Sequence, residues 1–331
     1  DRDGWARLGE LHTATHVLNT PCLLPVINPN IRTVEPRELW ERYGFEALIT
    51  NSYVIWKHDN LKNQALEHGV HALLDYPGVL MTDSGTFQNY VYGDVEVGVE
   101  EIVTFQREIG VDIATMLDVF GTPDMSKEEV EDAVNQTIDR AAVSIEAANG
   151  TLLNGPIQGG IHSDLRAQSA IGMSEHDFAV HPIGGIVPLM ERQRYRELVE
   201  IILACREEIP WNRPIHIFGC GHPHLFPICV ALGADLFDSA AYALFARDDR
   251  MLMPWGTVKL GDLTEFPIST EALAGHTPAS VMALSDDARC ELLARHNLEI
   301  TASELARCRQ AIRDGTIWRL VEERSHTNAA L

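Results

Sequence analysis

A carboxylate and an amide stand directly behind an apolar run in the first third of the chain. The run at residues 79–81 leads, after Thr82, into the sequence DSGTFQ at residues 83–88. A short apolar run predicts a strand held in a sheet, and the loop behind such a strand is free to carry polar groups. A carboxylate, a glycine turn, an aromatic ring and an amide at that point are typical of a binding or catalytic rim.

The same arrangement is repeated along the chain, because apolar runs alternate with amphipathic stretches of helical spacing. The runs cover residues 23–27, 47–50, 79–81, 112–117, 152–157, 178–183, 215–218 and 235–237. Eight predicted strands, each followed by a crossover and none by a GxGxxG turn, favour a closed barrel over a doubly wound sheet. We therefore predict an α/β protein with a (β/α)8 TIM barrel over residues 1–256, which begins with a short hairpin at residues 5–20.

Helix boundaries can be read from caps and glycines. Ser126 with Glu129 forms a capping box for a helix that runs to Gly150. After the barrel, residues 257–331 form a helical C-terminal appendage, in which Thr301 with Glu304 predicts a second capping box. The helices expected there cover residues 286–296, 302–313 and 317–324.

The residues that follow the strands of such a barrel meet at one rim, where its active sites lie. Here they include three carboxylates together with amides and glycines: Asn51, Asp83, Asp118, Gln158, Gly184, Gly185, Gly219 and Asp238. A single Asp behind a strand is most often a helix cap or a turn residue. That interpretation is weaker for the whole set, since Ser239 stands beside Asp238 and could cap the next helix instead. The set therefore predicts a functional site at the mouth of the barrel.

The charge balance is strongly acidic, with 48 Asp and Glu against 26 Lys and Arg and a net charge of −22 over 331 residues. This balance opposes non-specific binding to a phosphate backbone, which normally requires a basic face. Two explanations remain open. Either the partner is not a nucleic acid, or the acidic surface is an adaptation to high salt, in which repulsion between charges is screened.

Composition also bears on the compartment. The chain has no stretch of eighteen apolar residues and no charged-then-apolar leader, so we expect neither a membrane protein nor a secreted one. Its six cysteines form no CxxC pair, which is typical of buried thiols in a reducing compartment. These observations together predict a cytoplasmic protein.

Four long motifs stand in order along the chain. They are MTDSGTFQ at residues 81–88, YGDVEV at 92–97, GGIVPLME at 184–191 and FDSAAYAL at 237–244. In these motifs, and over nearly its whole length, the chain resembles the tRNA-guanine transglycosylase family, specifically the archaeal (archaeosine) branch. The resemblance implies a TIM barrel that exchanges a guanine of tRNA for a 7-deazaguanine without breaking the backbone. For the archaeal branch it implies a guanine of the D arm, at position 15, and 7-cyano-7-deazaguanine as the incoming base.

The resemblance also implies roles for the rim residues. Asp238 matches a nucleophile that holds C1′ of the ribose in a covalent intermediate, and Asp83 matches a general acid and base. The residues implied to bind the base are Asp118, Gln158, Gly184, Gly185, Phe87 and Ser84. The carboxylate would accept from the ring N–H and the exocyclic amine, the amide and a backbone N–H would donate to the carbonyl oxygen, and Phe87 would stack on the base. Without the resemblance, Phe87 is equally well a core aromatic and Gln158 a residue that bridges loops.

The appendage lacks the metal ligands that are usual in the family, which are three cysteines spaced CxCxxC and a later histidine. Ile268, Thr270 and Leu273 stand at the cysteine positions, and His296 stands alone at the histidine position. Since none of the first three binds zinc well, we expect no metal and no other cofactor. Packing of the apolar side chains would then replace the folding energy that zinc supplies.

Three alternatives remain open. The first is the same base exchange on guanine in DNA, which suits a sequence without the RNA-binding modules of archaeal members. The second is a catalytically silent partner subunit, which the missing zinc ligands favour and the intact carboxylates oppose. The third is a glycoside or nucleoside hydrolase, because two rim carboxylates also suit hydrolysis. The expected partners are tRNA or DNA, with 7-cyano-7-deazaguanine or guanine as the base, no membrane, and a second copy of the chain in a homodimer.

Overall fold

The chain folds around one sheet of eight parallel strands. The computed structural model describes residues 1–85, 97–122 and 124–331. The strands are Cys22–Ile27 (β1), Ala47–Asn51 (β2), Val79–Asp83 (β3), Ile113–Thr115 (β4), Leu152–Asn154 (β5), His181–Ile183 (β6), Ile215–Ile217 (β7) and Leu236–Ser239 (β8). They pair in the order β6-β7-β8-β1-β2-β3-β4-β5, and parallel bridges from Asn154 to Val180 and from Ile157 to Ile183 join the two ends. The predicted (β/α)8 barrel is confirmed.

Helices cover the outside of the barrel, and several are broken into short pieces. Their bounds are Pro36–Glu41 (α1), Ser52–Lys57 (α2), Asp59–His68 (α3), Val70–Leu74 (α4), Val99–Glu108 (α5), Lys127–Asp139 (α6), Ala141–Ala148 (α7), Ser163–Ser174 (α8), Val187–Glu191 (α9), Tyr195–Glu208 (α10), Phe226–Ala231 (α11) and Ala241–Arg247 (α12). The capping box at Ser126 and Glu129 forms as predicted. The helix predicted to run from there to Gly150 is divided in two at Arg140.

Side chains alternate between the two faces of a strand, and Asp83 and Asp238 lie on the face that points into the barrel (the interior phase). In β3, Val79 and Met81 belong to the interior cluster, whereas Leu80 packs outward against the helices. Side chains alternate with a period of two, so Asp83 continues the interior phase at the end of β3. In β8 the same reasoning carries the phase from Leu236 to Asp238.

The hairpin at the start of the chain closes the opposite end of the barrel. Strand Gly9–His12 pairs with Val17–Thr20, which confirms the hairpin expected at residues 5–20. Its buried Leu11 and Leu18 belong to the same apolar cluster as the lower interior residues of the strands. The N-terminal end of the barrel is therefore filled with apolar side chains, and the polar groups lie at the C-terminal end.

The appendage is built on one long helix. The hairpin Arg250–Met253 and Gly256–Lys259 is followed by Pro278–Met282 (α13), Asp286–Asp314 (α14) and Ile317–Thr327 (α15). The prediction of two helices at residues 286–296 and 302–313 is wrong, since α14 is continuous through both. The capping box predicted at Thr301 and Glu304 is therefore wrong as well.

The two residues of that false capping box make other hydrogen bonds, Thr301 within α14 and Glu304 to α15. Thr301 Oγ1 donates to the carbonyl of Asn297 (2.7 Å), one turn earlier. The buried carboxylate of Glu304 accepts hydrogen bonds from Nε and Nη2 of Arg324 on α15, at 2.6 and 2.9 Å. Glu304 is 1% exposed and Arg324 is 6% exposed, so this ion pair joins the last two helices from within.

Glu304→Ala leaves the Arg324 charge buried without its partner, so we expect it to lower the free energy of unfolding by about 3–5 kcal/mol. Denaturant unfolding measures this change. Glu200→Ala, which removes the exposed partner of Arg196, is the matched control and should stay within about 0.5 kcal/mol of the original chain. Equal effects of the two substitutions would contradict a stabilising role for the buried pair.

Candidate active site

Asp83, at the mouth of the barrel, has a pKa that its surroundings raise strongly. Burial, followed by the negative charges of Asp118 and Asp238, raises its pKa to about 7. Asn51 at the end of the neighbouring strand β2 donates from Nδ2 to Asp83 Oδ2, at 3.3 Å. Near neutral pH this carboxyl therefore exists in both protonation states, which a group that first gives and then takes up a proton requires.

The turn behind Asp83 depends on a close approach of two segments. Gly85 has φ of +94°, and a Cβ atom there would lie 2.3 Å from Cβ of Tyr53. Ser52 Oγ donates to the carbonyl of Asp83 at 2.7 Å. The start of α2 therefore packs directly on the end of β3 and fixes the backbone that carries the carboxyl group.

Asp238 in β8 is held through one of its two oxygens. Oδ1 accepts from Nε2 of His216 (2.9 Å) and from the backbone N–H of Gly219 (2.9 Å). Asp238 is 8% exposed and His216 is fully buried. Among the described residues, Oδ2 receives no hydrogen bond. One oxygen therefore fixes the orientation of the carboxylate, and the other is left for chemistry.

His216 is a site residue that the sequence analysis missed. It lies in β7 between Ile215 and Ile217, opposite Leu236 in the register of β7 and β8. Leu236 belongs to the interior cluster, so His216 is in the interior phase as well. The available signal was one polar residue in the inward phase of an apolar run, next to the strand that carries Asp238.

Asp118 and Gln158 meet at the same mouth. Gln158 Nε2 donates to Asp118 Oδ2 at 2.5 Å, and the two residues are 1% and 8% exposed, respectively. Gln158 Oε1 is buried and has no hydrogen-bond partner among the residues that the structure describes. A carboxylate acceptor beside a buried amide forms a polar edge that complements the donor and acceptor edge of a purine.

Two consecutive glycines make room for that amide. A Cβ atom at Gly184 would lie 2.4 Å from Gln158 Nε2. At Gly185, where φ is +70°, a Cβ atom would lie 2.9 Å from the carbonyl oxygen of Gly121 and 3.2 Å from Gln158 Oε1. Side chains at these positions would displace Gln158, so the glycines bring the backbone after β6 against it.

Comparison with known proteins gives the family. The sequence model described as queuine tRNA-ribosyltransferase matches residues 1–330. The chain belongs to this family. The resemblance inferred from the four motifs is thereby confirmed.

Similar proteins named tRNA-guanine(15) transglycosylase occur in several archaea. The protein of Thermococcus onnurineus is 46% identical over 330 residues, which are 100% of this chain and 57% of that protein. That of Pyrococcus abyssi is 45% identical over 330 residues, 100% of this chain and 56% of the relative. That of Methanopyrus kandleri is 46% identical over 331 residues, 99% of this chain and 72% of the relative. The chain thus spans little more than half the length of the first two relatives.

The remaining residues implied by the family resemblance are placed less directly at the mouth. Ser84 is fully buried behind Asp83. Phe87 lies outside the described residues, as does the motif YGDVEV apart from Val97. The structure therefore brings together Asp83, Asp238, Asp118, Gln158 and the glycine pair.

In the part of the appendage where the family resemblance implies a zinc site, this chain has hydrogen bonds and apolar packing instead. Burial lowers the pKa of His296 to about 4, so its ring is neutral. Its Nδ1 lies 3.0 Å from Thr270 Oγ1 and its Nε2 lies 3.2 Å from the carbonyl of Leu252. A hydroxyl donor on one side and a carbonyl acceptor on the other use both ring nitrogens.

The donor set of this region does not fit a tetrahedral zinc ion. Leu273 is buried and Ile268 packs against the core, so neither of these positions offers a ligand atom. Among the described residues, no group of three His, Cys, Asp or Glu could hold a metal ion.

None of the helices in residues 1–85, 97–122 and 124–331 is long and apolar enough to cross a bilayer.

The raised pKa of Asp83 gives a pH dependence of stability with a definite sign. An unfolded Asp titrates at about 3.9, so between about pH 4 and pH 7 the folded chain holds more protons at Asp83 than the unfolded chain does. The contribution of Asp83 to stability therefore falls as the pH rises through this window. Asp83→Asn removes this contribution. The Tm of the variant minus the Tm of the original chain should therefore be larger at about pH 8 than at about pH 5.

Thermal unfolding at the two pH values tests this expectation. Asp132→Asn, which changes an exposed carboxylate on α6, is the control and should show no such trend. A Tm difference for Asp83→Asn that is independent of pH would show that the carboxyl is not perturbed.

Proposed function

We propose that this chain catalyses exchange of a guanine base in tRNA through a covalent intermediate on Asp238. The observation that supports it most directly is the pairing of two unlike carboxyl groups at one mouth. Asp238 has an anchored oxygen and a second oxygen without a hydrogen bond among the described residues, whereas Asp83 has a pKa of about 7. The printed names of the relatives, which specify guanine 15 of tRNA, support the same target nucleotide.

The reaction follows from the different states of the two carboxyl groups. Asp238 Oδ2 attacks C1′ of the target ribose, the bond from C1′ to N9 of guanine breaks, and the protonated Asp83 delivers its proton to N9. Guanine leaves and Asp83 is now a carboxylate. It takes the N9 proton of the incoming base, whose N9 then attacks C1′ and releases Asp238. Two inversions give retention of configuration, and the phosphate backbone is not cut.

The base is read by Asp118, Gln158 and the backbone of Gly185. The carboxylate of Asp118 accepts from N1–H and the 2-amino group, while Gln158 Nε2 and the N–H of Gly185 donate to O6. Guanine and 7-cyano-7-deazaguanine share this edge, so the pocket accepts either as the incoming base. Unpairing the target nucleotide costs a few kcal/mol, which is recovered by these contacts in the mouth.

Asp238→Asn should reduce incorporation of labelled guanine into tRNA by about 10⁴-fold or more, because an amide oxygen is a poor nucleophile. It should also abolish the protein–tRNA adduct seen on a denaturing gel when free base is withheld. Asp139→Asn, an exposed carboxylate on α6, is the control and should retain both signals.

The assay should be run at low and high salt on tRNA and on duplex DNA in parallel. Incorporation of labelled guanine into tRNA by the original chain supports the proposal. Incorporation into DNA alone would change the polymer and keep the chemistry, release of free guanine without replacement would indicate a hydrolase, and full activity of Asp238→Asn would rule out the covalent step.

We also propose that the appendage folds without zinc, supported by the engagement of both nitrogens of His296. The Tm should be unchanged by EDTA, and the protein purified in metal-free buffers should contain less than about 0.1 equivalent of zinc, since a structural site would bind far more tightly. Thr270→Val should lower stability by about 1 kcal/mol through the lost hydrogen bond. One equivalent of zinc, or a Tm that falls on chelation, would contradict this.

A further inference from the structure

Arg166 on α8 is a fully buried arginine that pairs with no carboxylate among the described residues. Its Nε donates to the carbonyl of Gly160 (3.0 Å) and its Nη1 to the carbonyl of Ile157 (2.9 Å). Burial lowers its pKa to about 10, which reflects the cost of a guanidinium charge held away from water. Burial of this charge costs free energy of folding, and the hydrogen bonds of the guanidinium go to the backbone segment that carries Gln158.

A second contact from α8 holds the same segment. The backbone N–H of Gln158 donates to Oγ of the fully buried Ser169, at 3.0 Å. Gly159 adopts φ of +144°, and a Cβ atom there would lie 2.7 Å from the backbone nitrogen of Arg166. The backbone around Gln158 is therefore fixed at its own N–H, at the carbonyl of Ile157 directly before it and at the carbonyl of Gly160 two residues after it.

The preceding βα unit holds Asp118 in the same way. The N–H of Val119 donates to Thr137 Oγ1 on α6 (2.9 Å), and Arg140 Nη1 donates to the carbonyls of Leu117 (3.1 Å) and Asp118 (3.3 Å). In both units a hydroxyl and a guanidinium stand three residues apart, on or at the end of the helix that follows the strand. The two loops held in this manner carry the two side chains that bond to each other at the mouth.

We propose that Arg166, assisted by Ser169, is a positioning residue that fixes Gln158 for reading the carbonyl edge of the base. This inference rests on the proposed base exchange and deepens it, since neither residue touches the base. Gln158 contacts the base equally before and during bond breaking, so losing its fixed position weakens binding more than turnover. A purely structural role would instead lower stability and leave the KM for the base unchanged.

The test measures kcat and KM for guanine in exchange with tRNA, for five variants and the original chain. Arg166→Met should raise KM about tenfold, the effect of one hydrogen bond lost in a buried site, while kcat changes less than about threefold. Gln158→Ala should raise KM by at least as much, and adding Arg166→Met to it should raise KM by less than about twofold, because the side chain being positioned is gone.

Arg206→Met is the matched control. Arg206 is also a buried arginine bonded to a backbone carbonyl, that of Ile209, but it lies at the C-terminal end of α10, away from the mouth. This substitution should lower the Tm and leave KM for guanine as it is. If Arg166→Met does not fold, Ser169→Ala removes the acceptor of the Gln158 N–H and should raise KM in the same direction.

The outcomes separate this inference from the function on which it rests. If the original chain exchanges guanine and Arg166→Met or Ser169→Ala leaves KM unchanged, positioning by α8 is wrong and the proposed function stands. Positioning by α8 is also wrong if Arg166→Met raises KM by the same factor in the original chain and in the Gln158→Ala variant. If the original chain exchanges no guanine, both proposals fail together.

Discussion

The site depends on the repulsion between carboxylates that share one poorly hydrated mouth. Three such groups cannot all be charged at low cost, because burial removes the water that would screen them. The structure resolves this conflict unevenly. Asp238 accepts hydrogen bonds from His216 and Gly219 on one oxygen, Asp118 accepts from Gln158, and burial with the two neighbouring charges keeps Asp83 protonated up to about neutral pH. The hydrogen bonds and the buried charges thus set the three carboxyl groups apart, and the separate roles proposed for them depend on these differences.

The barrel imposes this distribution of hydrogen-bond donors through its periodicity and its covering helices. Alternation by two brings Asp83 and Asp238 into the interior phase, at the end where parallel strands stop. The donors come from a neighbouring strand in one case, His216 in β7, and from the following βα unit in the other, Gln158 behind β5. Side chains of the outer helices then secure the backbone, as Gln106 of α5 does by accepting from Thr82 Oγ1 and from the N–H of Thr115. Fold and site are therefore stabilised by the same contacts.

Much of this arrangement could be predicted from sequence because it follows from strand ends. An apolar run followed by a carboxylate is a local pattern, and the barrel brings the three carboxylates that follow its strands to one rim. The donors to these carboxylates are tertiary contacts, so the role of His216 as a donor to Asp238 became clear only when their two strands were seen side by side. Thr301 and Glu304 show the reverse error. Their spacing matches a capping box, but α14 passes through them because Arg324 and Asn297 supply other partners.

The apolar side chains with which the leading hairpin closes the barrel have a consequence for the glycosyl–enzyme ester of the proposed exchange. Leu11 and Leu18 close the lower barrel, so water that could hydrolyse such an ester must enter through the mouth by which the bases enter and leave. A purine seated between Asp118 and Asp83 obstructs that route, and a nucleobase rather than hydroxide is then the acceptor within reach. For the proposed exchange, sealing one end of the barrel with leucines would thereby favour transfer over hydrolysis, although no leucine takes part in either reaction.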